Sequence, residues 1–195
     1  MFKLGSVEFE CERVLPAGYP AHAINSERIF EIPLLKYYVN KFAEYPNFME
    51  VGACSKHFMP VSHRIYDAQE QGAINEFAEN LKYEGQNVLC ISTVEHIGAG
   101  HFGLPYQPLH TITVLNMILD AQTYLITFPI DQNTLLDYYV RNIIKNMIPA
   151  FVKTAHRDTL NNWEVDAFPN FDYKYGTPSP YANGVCVISN LPEFI

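Results

Sequence analysis

Three apolar runs between Asn47 and Gly98 each end in a glycine, an acid or a group of polar residues. The first run leads to Gly52, the second to Asp67, and the third to Ser92 and its neighbours. Buried parallel strands have this nearly continuous apolar character, and ligands of open α/β sheets bind in the crevice outside the carboxyl ends of such strands. The pattern therefore predicts a parallel sheet with a nucleotide-sized ligand crevice at its carboxyl edge.

The length of the chain, 195 residues, fits one domain of ordinary size with a substantial core. Hydrophobic residues make up 48% and charged residues 17%, which is typical of a folded globular protein. We expect a single domain over residues 1–195, with residues 1–24 as an N-terminal extension and residues 25–195 as the core.

The formal net charge of -8 disfavours nucleic acid as a partner, because affinity for the phosphate backbone comes largely from Lys and Arg. The first ten residues contain acids and no apolar core of the kind a secretory signal needs, and no window reaches the roughly 20 apolar residues of a membrane span. We therefore expect a cytoplasmic protein that binds a small molecule.

The chain has four widely spaced cysteines, which are Cys11, Cys54, Cys90 and Cys186. Their spacing predicts reduced thiols rather than a zinc site or a disulfide framework.

Periodicity predicts strands and helices that alternate along most of the chain. The predicted strands are Phe48 to Val51, His63 to Tyr66, a weak one near Ala73 to Asn75, Val88 to Ile91, Tyr124 to Pro129, and two closing strands, Trp163 to Val165 and Val185 to Ile188. The predicted helices begin near Asn25 and Ser26, run from Leu109 to Asp120, and run from Gln132 to Ile148. This order predicts an open α/β sheet with an antiparallel edge.

The motifs in this order resemble those of the class I S-adenosylmethionine-dependent methyltransferases. They are Glu50-Val51-Gly52, Asp67, Ile91-Ser92-Thr93-Val94-Glu95-His96-Ile97 and Thr127-Phe128-Pro129, and a short subgroup is indicated by Glu27-Arg28, Glu31-Ile32-Pro33 and the tail from Tyr175 to Val185. The resemblance covers roughly residues 25 to 190. It implies a Rossmann-like fold, with an open, mostly parallel sheet, helices on both faces and an antiparallel closing edge strand.

The resemblance also implies S-adenosylmethionine as cofactor and assigns roles to particular residues. The implied cofactor-binding residues are Glu50, Gly52, Ala53, Asp67, Ser92 and Thr93, and the implied catalytic residues are His96 and Glu95. Glycine lets a ligand approach the main chain, and a carboxylate accepts hydrogen bonds from two ribose hydroxyls. A histidine with an ordinary pKa of about 6.5 accepts a proton from the methyl acceptor, while Glu95 orients its imidazole.

Each assignment has a simpler structural alternative. Glu-x-Gly also occurs at ordinary strand ends, Asp67 also fits a solvated loop acid, and His96 also fits a residue that caps the next segment. Ser92 and Thr93 stand beside Glu95 and His96 where a metal site would need further acids or imidazoles, so we predict no metal. The aromatic residues of the closing region fit an acceptor pocket or, more commonly, a core: Trp163, Phe168, Phe171, Tyr173, Tyr175 and Tyr181. A lid is suggested by the glycines around His101, Phe102 and Tyr106.

The chain departs from the family in its glycine-rich loop, where only Gly52 of the usual Gly-x-Gly-x-Gly is kept. Only 14 residues lie between Gly52 and Asp67, whereas about 20 separate the comparable positions of dinucleotide folds, so the first crossover is abbreviated. The Gly-x-Gly-x-x-Gly fingerprint of a nicotinamide oxidoreductase is missing, which disfavours that function.

Two functions remain. The first is methyl transfer to a small-molecule or glycan acceptor at oxygen or nitrogen, and the second is binding by a catalytically inactive protein that kept the fold.

Overall fold

The computed structural model describes residues 1–13, 25–147 and 151–195. Their strands are β1 (Phe2–Leu4), β2 (Val7–Phe9), β3 (Phe48–Val51), β4 (Arg64–Tyr66), β5 (Asn87–Ile91), β6 (Thr123–Pro129), β7 (Phe151–Arg157), β8 (Trp163–Val165) and β9 (Gly184–Ser189). Their helices are α1 (Arg28–Phe42), α2 (Leu109–Leu119), α3 (Thr134–Tyr139) and α4 (Lys145–Met147), with a π-helical turn (Val140–Ile144) between the last two.

Seven of the strands form one mixed sheet in the order β4-β3-β5-β6-β9-β7-β8. The first four are parallel to one another, β9 is antiparallel to both β6 and β7, and β8 is antiparallel to β7. The carboxyl ends of β4, β3, β5 and β6 therefore lie along one edge of the sheet. Between β3 and β4 the chain forms only a short 3₁₀ turn, Ser55–His57, as the abbreviated crossover predicts.

Different helices cover the two faces of the sheet, because side chains alternate along each strand. In β5, Leu89 and Ile91 belong to the core formed with α1, whereas Val88 and Cys90 belong to the core formed with α2 and α3. Every residue of β5 is buried. Burial of one such aliphatic side chain stabilises the fold by about 1.5–3 kcal/mol, so this strand holds both layers together.

Helix α1 contains a proline, Pro33, whose missing N–H leaves the carbonyl of Ile29 without its intrahelical donor. The backbone N–H of Glu12 donates to that carbonyl at 3.0 Å. The side chain of Glu12 also pairs with Lys36 at 2.6 Å. The segment before the helix thus compensates for the proline, and α1 continues unbroken to Phe42.

The hairpin of β1 and β2 packs on the same side of the molecule as α1. Phe2 and Phe9 are both buried. The ring of Phe2 lies 4.4 Å from the ring of Phe30, and the ring of Phe9 lies 5.8 Å from the ring of Phe194. Residues 1–13 of the predicted N-terminal extension therefore contribute to the core. The rest of that extension, residues 14–24, lies outside the described residues.

The structure confirms most predicted elements and corrects several. The segment from Ala73 to Asn75 is not a strand, because only one isolated bridge joins Ile74 to Tyr66. The predicted edge strand from Val185 to Ile188 is β9, which is antiparallel but lies inside the sheet, while the antiparallel edge strand is β8. The prediction missed β7, β1 and β2. The predicted helix from Gln132 to Ile148 is observed from Thr134 to Met147 with the π-helical turn inside it, and Ile148 lies outside the described residues.

Candidate functional site

A crevice of about 790 Å³ opens at the carboxyl ends of β4, β3 and β5. One wall comes from the loops that follow β3 and β4, and a second from the segment 76–80. The third wall comes from the loop that follows β5 and from His110 near the start of α2. The crevice therefore lies where the sequence places it.

Gly52 forms the floor of the crevice with a φ of +83°, which lies in the left-handed region. A Cβ atom at this position would lie 1.9 Å from Oγ1 of Thr93, which itself lines the crevice. The N–H of Gly52 donates to the carbonyl of Tyr66 at 2.9 Å. Both the backbone conformation and the available space therefore require glycine here.

Glu50 lies beneath the loop after β3 and not in the crevice wall. Its carboxylate is fully buried and accepts hydrogen bonds from the backbone N–H groups of Cys54 at 2.8 Å and Ser55 at 2.7 Å. The hydroxyl of Ser55 and Nε2 of His63, the latter at 2.8 Å, contact the second carboxyl oxygen. Glu50 thus holds the loop in shape, whereas the sequence predicted a direct contact with the cofactor.

Asp67 follows β4 and joins the two loops at this end of the crevice. Its Oδ1 accepts from the backbone N–H groups of Gln69 and Glu70, each at 2.9 Å, and its Oδ2 accepts from the N–H of Ala53 at 3.2 Å. Asp67 and Ala53 both line the crevice. Because a carboxylate has about four acceptor positions, Asp67 keeps capacity for a hydroxyl of a ligand.

Ser92 and Thr93 also line the crevice, but the hydroxyl of Ser92 is turned to a buried carboxylate. It donates to Oε1 of Glu31 at 2.7 Å, and Thr127 on β6 donates to the same oxygen at 2.6 Å. The other oxygen of Glu31 accepts from Nη1 of Arg28 at 2.7 Å. Ser92 has a φ of +41°, a conformation uncommon outside glycine, at the point where this network meets the crevice.

Arg28 lines the crevice and was not among the predicted site residues. It lies in the first turn of α1, beside the fully buried Glu31. The sequence did offer a signal, since an acid within an otherwise apolar helix needs a partner to be buried.

His96 lies in a 3₁₀ turn, Val94–His96, and lines the crevice as predicted. Its Nδ1 is 2.7 Å from Nδ1 of His101, so one ring donates to the other. Burial, with smaller effects of the nearby His101 and Arg28, lowers the pKa of His96 to about 4. His96 is therefore neutral at pH 7.

Glu95 is 1% exposed, and its carboxyl oxygens have no hydrogen-bond partner among the described residues. Oε1 lies 3.7 Å from Nε2 of His96, which is too far for a hydrogen bond. Burial raises the pKa of Glu95 well above its usual value. The imidazole of His96 is thus oriented by His101, and not by Glu95 as the sequence predicted.

The loop around Phe102 reaches across the crevice. The side-chain amide of Gln69 donates to the carbonyl of Phe102 at 2.7 Å, which joins the loop after β4 to the loop after β5. The Phe102 ring is 69% exposed, and Gly100 and Gly103 on either side have positive φ angles. Phe102 and Gln69 both line the crevice, so the loop that was predicted as a lid forms part of the crevice wall.

An acid and a histidine that were not predicted join the second and third walls of the crevice. Nδ1 of His110 lies 2.7 Å from Oε1 of Glu79, and both residues line the crevice. Glu79 lies in a short 3₁₀ turn, Ala78–Asn80, which has no strand pattern to mark it.

The aromatic residues of the closing region lie elsewhere. Trp163 is buried and stacks on Phe30 at 5.3 Å, and Tyr173 stacks on His156 at 5.4 Å. Phe168 is exposed. In the described part of the chain, these three aromatic residues contribute to the core or the surface rather than to the crevice wall.

Within residues 1–13, 25–147 and 151–195, no three His, Cys, Asp or Glu side chains are grouped so that they could hold a metal ion. No helix in these ranges has the length and apolar character needed to cross a bilayer.

Comparison with known proteins finds no matching family model, and no curated protein sequence matches the chain. Among solved structures, the chain is similar to one chain of the Pnkp1/Rnl/Hen1 RNA repair complex, with a TM-score of 0.41 and 8% sequence identity. The match covers 80% of this chain and 41% of that chain, so the protein spans about two fifths of the length of its structural neighbour. The class of fold, a mixed α/β sheet with helices, rests on the strand order itself.

Proposed function

We propose that this protein has a Rossmann-like methyltransferase fold and transfers a methyl group from S-adenosylmethionine to an oxygen or nitrogen of a small-molecule or glycan acceptor. The observation that carries the proposal is the crevice at the carboxyl ends of three adjacent parallel strands, with Gly52 at its floor and Asp67 at its side. Open α/β sheets bind nucleotides at this place. Its volume of about 790 Å³ is within the range of small-molecule sites.

The residues of the crevice fit the parts of such a ligand. Asp67 accepts a hydrogen bond from one ribose hydroxyl, since three backbone N–H groups already occupy the other acceptor positions of its carboxylate. Gly52 has no side chain, which lets the side chain of Thr93 pack against the main chain at the floor of the crevice. His96 follows β5 and also lines the crevice, and we assign it to the side of the acceptor.

S-adenosylmethionine, when bound, supplies the methyl group that an acceptor oxygen or nitrogen takes up. The protein holds the acceptor in line with that group, and proximity and orientation provide most of the rate. His96 accepts the acceptor's proton on Nε2, because Nδ1 is already bonded to His101. The low pKa of His96 keeps the imidazole unprotonated and able to accept at neutral pH, although it makes the base weak.

A second candidate function is binding without catalysis. The loop after Gly52 carries Ala53 and Cys54 in the crevice wall, and these residues project further than the glycines of the family pattern. A protein that keeps the site for binding S-adenosyl ligands and does not turn them over would have this composition.

Isothermal titration calorimetry with S-adenosylmethionine and S-adenosylhomocysteine tests the cofactor site. We expect micromolar affinity for both ligands. Asp67→Ala removes charged hydrogen bonds worth about 1.5–3 kcal/mol and should weaken binding about 10- to 100-fold. Because Asp67 also joins two loops, the thermal melting curve of the variant must show that it is folded.

A glycine pair provides a sharper control. Gly52→Ala and Gly72→Ala both place a side chain at a φ near +84°, but only at Gly52 would the new Cβ collide with Thr93, since nothing lies near Gly72. We expect Gly52→Ala to abolish binding and Gly72→Ala to leave it intact. No heat with either ligand on the wild-type protein would overturn the proposed cofactor.

The two functions are separated by turnover. Radiolabelled methyl transfer to a panel of small hydroxyl and amine acceptors, lost in His96→Ala while S-adenosylhomocysteine still binds, supports the enzyme. Clear binding with no transfer to any acceptor supports the non-catalytic protein.

A further inference from the structure

The chain from Gly98 to Gln107 forms a loop that is fixed at its base. The N–H of Gln107 donates to the carbonyl of Gly98 at 2.7 Å, and an isolated bridge pairs Ala99 with Tyr106. The two ends approach so closely that a Cβ atom at Gly98 would lie 2.1 Å from the carbonyl oxygen of Gln107. Any movement of the residues between these ends must therefore take place about this base.

The tip of this loop is held differently from its base. In the described part of the chain, two side-chain hydrogen bonds join the tip to other residues. The first links Nδ1 of His101 to Nδ1 of His96 at 2.7 Å, and the second links Nε2 of Gln69 to the carbonyl of Phe102 at 2.7 Å. His96 lies just before the loop, so the first bond is local. Gln69 lies after β4, so the second bond is the one that connects the tip to a different part of the crevice wall.

The backbone at the tip is strained. Phe102 has a φ of +56°, which is unfavourable for a residue with a side chain because its Cβ approaches the following carbonyl oxygen. The ring is 69% exposed, so its burial contributes little to this conformation. Gly100 and Gly103 on either side have φ angles of +74° and +76°, which glycine adopts readily. The contact with Gln69 therefore holds the tip against a local tendency to relax.

Gln69 also contacts the residue that we assign to the ribose. Its N–H donates to Oδ1 of Asp67 at 2.9 Å, while its side-chain amide donates to Phe102. Gln69, Asp67 and Phe102 all line the crevice. A ligand that forms a hydrogen bond with Asp67 fixes the loop after β4, and it thereby fixes the amide that holds the tip.

We propose that residues 99–106 form a lid and that Gln69 holds this lid closed over a ligand in the crevice. The inference rests on the proposed function for the identity of that ligand. Gln69 is a positioning residue, since it acts through the main chain of Phe102. The lid opens to exchange the ligand and closes when Asp67 is occupied, as loops that shield a reaction from water do.

Hydrogen exchange measured by mass spectrometry tests the role of Gln69 without any ligand. Gln69→Met keeps the length of the side chain and removes the donor, whereas Gln69→Lys keeps a donor on a side chain of similar length. Loss of one neutral hydrogen bond shifts an opening equilibrium by about 2- to 10-fold. We therefore expect the amides of residues 99–106 to exchange faster by that factor in Gln69→Met and at nearly the wild-type rate in Gln69→Lys. Gln132→Met is the matched control, because Gln132 lies outside the crevice wall.

S-adenosylhomocysteine tests whether the lid responds to a ligand. Its addition to the wild-type protein should slow exchange in residues 99–106. Bound radiolabelled ligand, chased with an excess of unlabelled ligand, should dissociate about 2- to 10-fold faster from Gln69→Met than from the wild type or Gln132→Met, because the open lid is more populated. The amides of β5 should exchange at wild-type rates in all variants, which a general loss of stability would not allow.

The outcomes separate the lid from the proposed function. A Gln69→Met variant in which residues 99–106 exchange at the wild-type rate, or in which β5 is accelerated equally, overturns the role of Gln69. Tight binding of S-adenosylhomocysteine that leaves exchange in the wild-type lid unchanged overturns the lid, while the cofactor site stands. If the wild-type protein binds no S-adenosylhomocysteine, the proposed cofactor is wrong, whereas faster exchange in Gln69→Met and its recovery in Gln69→Lys still support the contact that closes the lid.

Discussion

Glu50→Gln should destabilise the protein by about 3 kcal/mol, because the carboxylate of Glu50 holds the loop after β3 through four contacts. The amide oxygen of Gln can still accept from the N–H groups of Cys54 and Ser55. The amide nitrogen cannot accept from Ser55 or from Nε2 of His63. Two charge-assisted hydrogen bonds, each worth about 1.5–3 kcal/mol, are therefore lost, and the losses overlap because both lie on one oxygen.

The effect is measured by urea denaturation followed by circular dichroism. With an m-value of about 2–3 kcal/mol/M, a loss of about 3 kcal/mol lowers the midpoint by about 1–1.5 M. Glu44→Gln makes the same change at an exposed position and is the control. Its free energy of unfolding should be within about 0.5 kcal/mol of the wild-type value. If the free energy of unfolding of Glu50→Gln is within about 1 kcal/mol of the wild-type value, the carboxylate does not hold the loop as its contacts indicate.

Three further properties can be measured on the purified protein. Burial raises the pKa of Glu95, so the unfolded chain releases this proton first as pH rises above about 4.5, and the free energy of unfolding should fall from that pH upward. Glu95→Met should flatten this fall in urea titrations between pH 4.5 and 8, and an unchanged slope would contradict it. The pKa of His96 is lowered to about 4, so the unfolded chain takes up this proton first as pH falls below about 6.5, and stability should decline from pH 6.5 to 4. His96→Asn should lessen that decline, and a wild-type slope in the variant would show that another group is responsible. Burial raises the pKa of Cys54 to about 12 and those of Cys90 and Cys186 well above their usual value, so iodoacetamide at pH 8 should label these thiols only in urea, as mass spectrometry will show. Rapid labelling of the native protein would refute their burial.

The parallel half of the sheet could be predicted from sequence, whereas β7 could not. Strand β5 is apolar after Asn87, and β3 is apolar except for Glu50, which is the pattern typical of strands buried on both faces. Strand β7 carries Lys153, Thr154, His156 and Arg157, yet it lies between β9 and β8 inside the sheet. Its polar side chains are accommodated by a distant acid, since both Thr154 and His156 bond to Asp166. No local pattern encodes that pairing.

The candidate site shows the same division. Gly52, Asp67 and Ser92 could be predicted because each follows a strand, and parallel strands bring their carboxyl ends together. Arg28 comes from a helix before the first parallel strand, and its position depends on the packing of α1 against the sheet. The buried position of Glu50 follows from alternation, which puts it on the same face of β3 as Phe48, under α1.

Three buried glutamates at this edge of the sheet differ in the donors they receive, and that difference indicates different roles. Glu50 has four polar contacts and Glu31 has three, so their charges are balanced within the folded chain. Glu95 is as deeply buried and has none among the described residues. A buried carboxyl without donors destabilises the fold. Replacement of Glu95 by an apolar residue of similar size should therefore stabilise the protein.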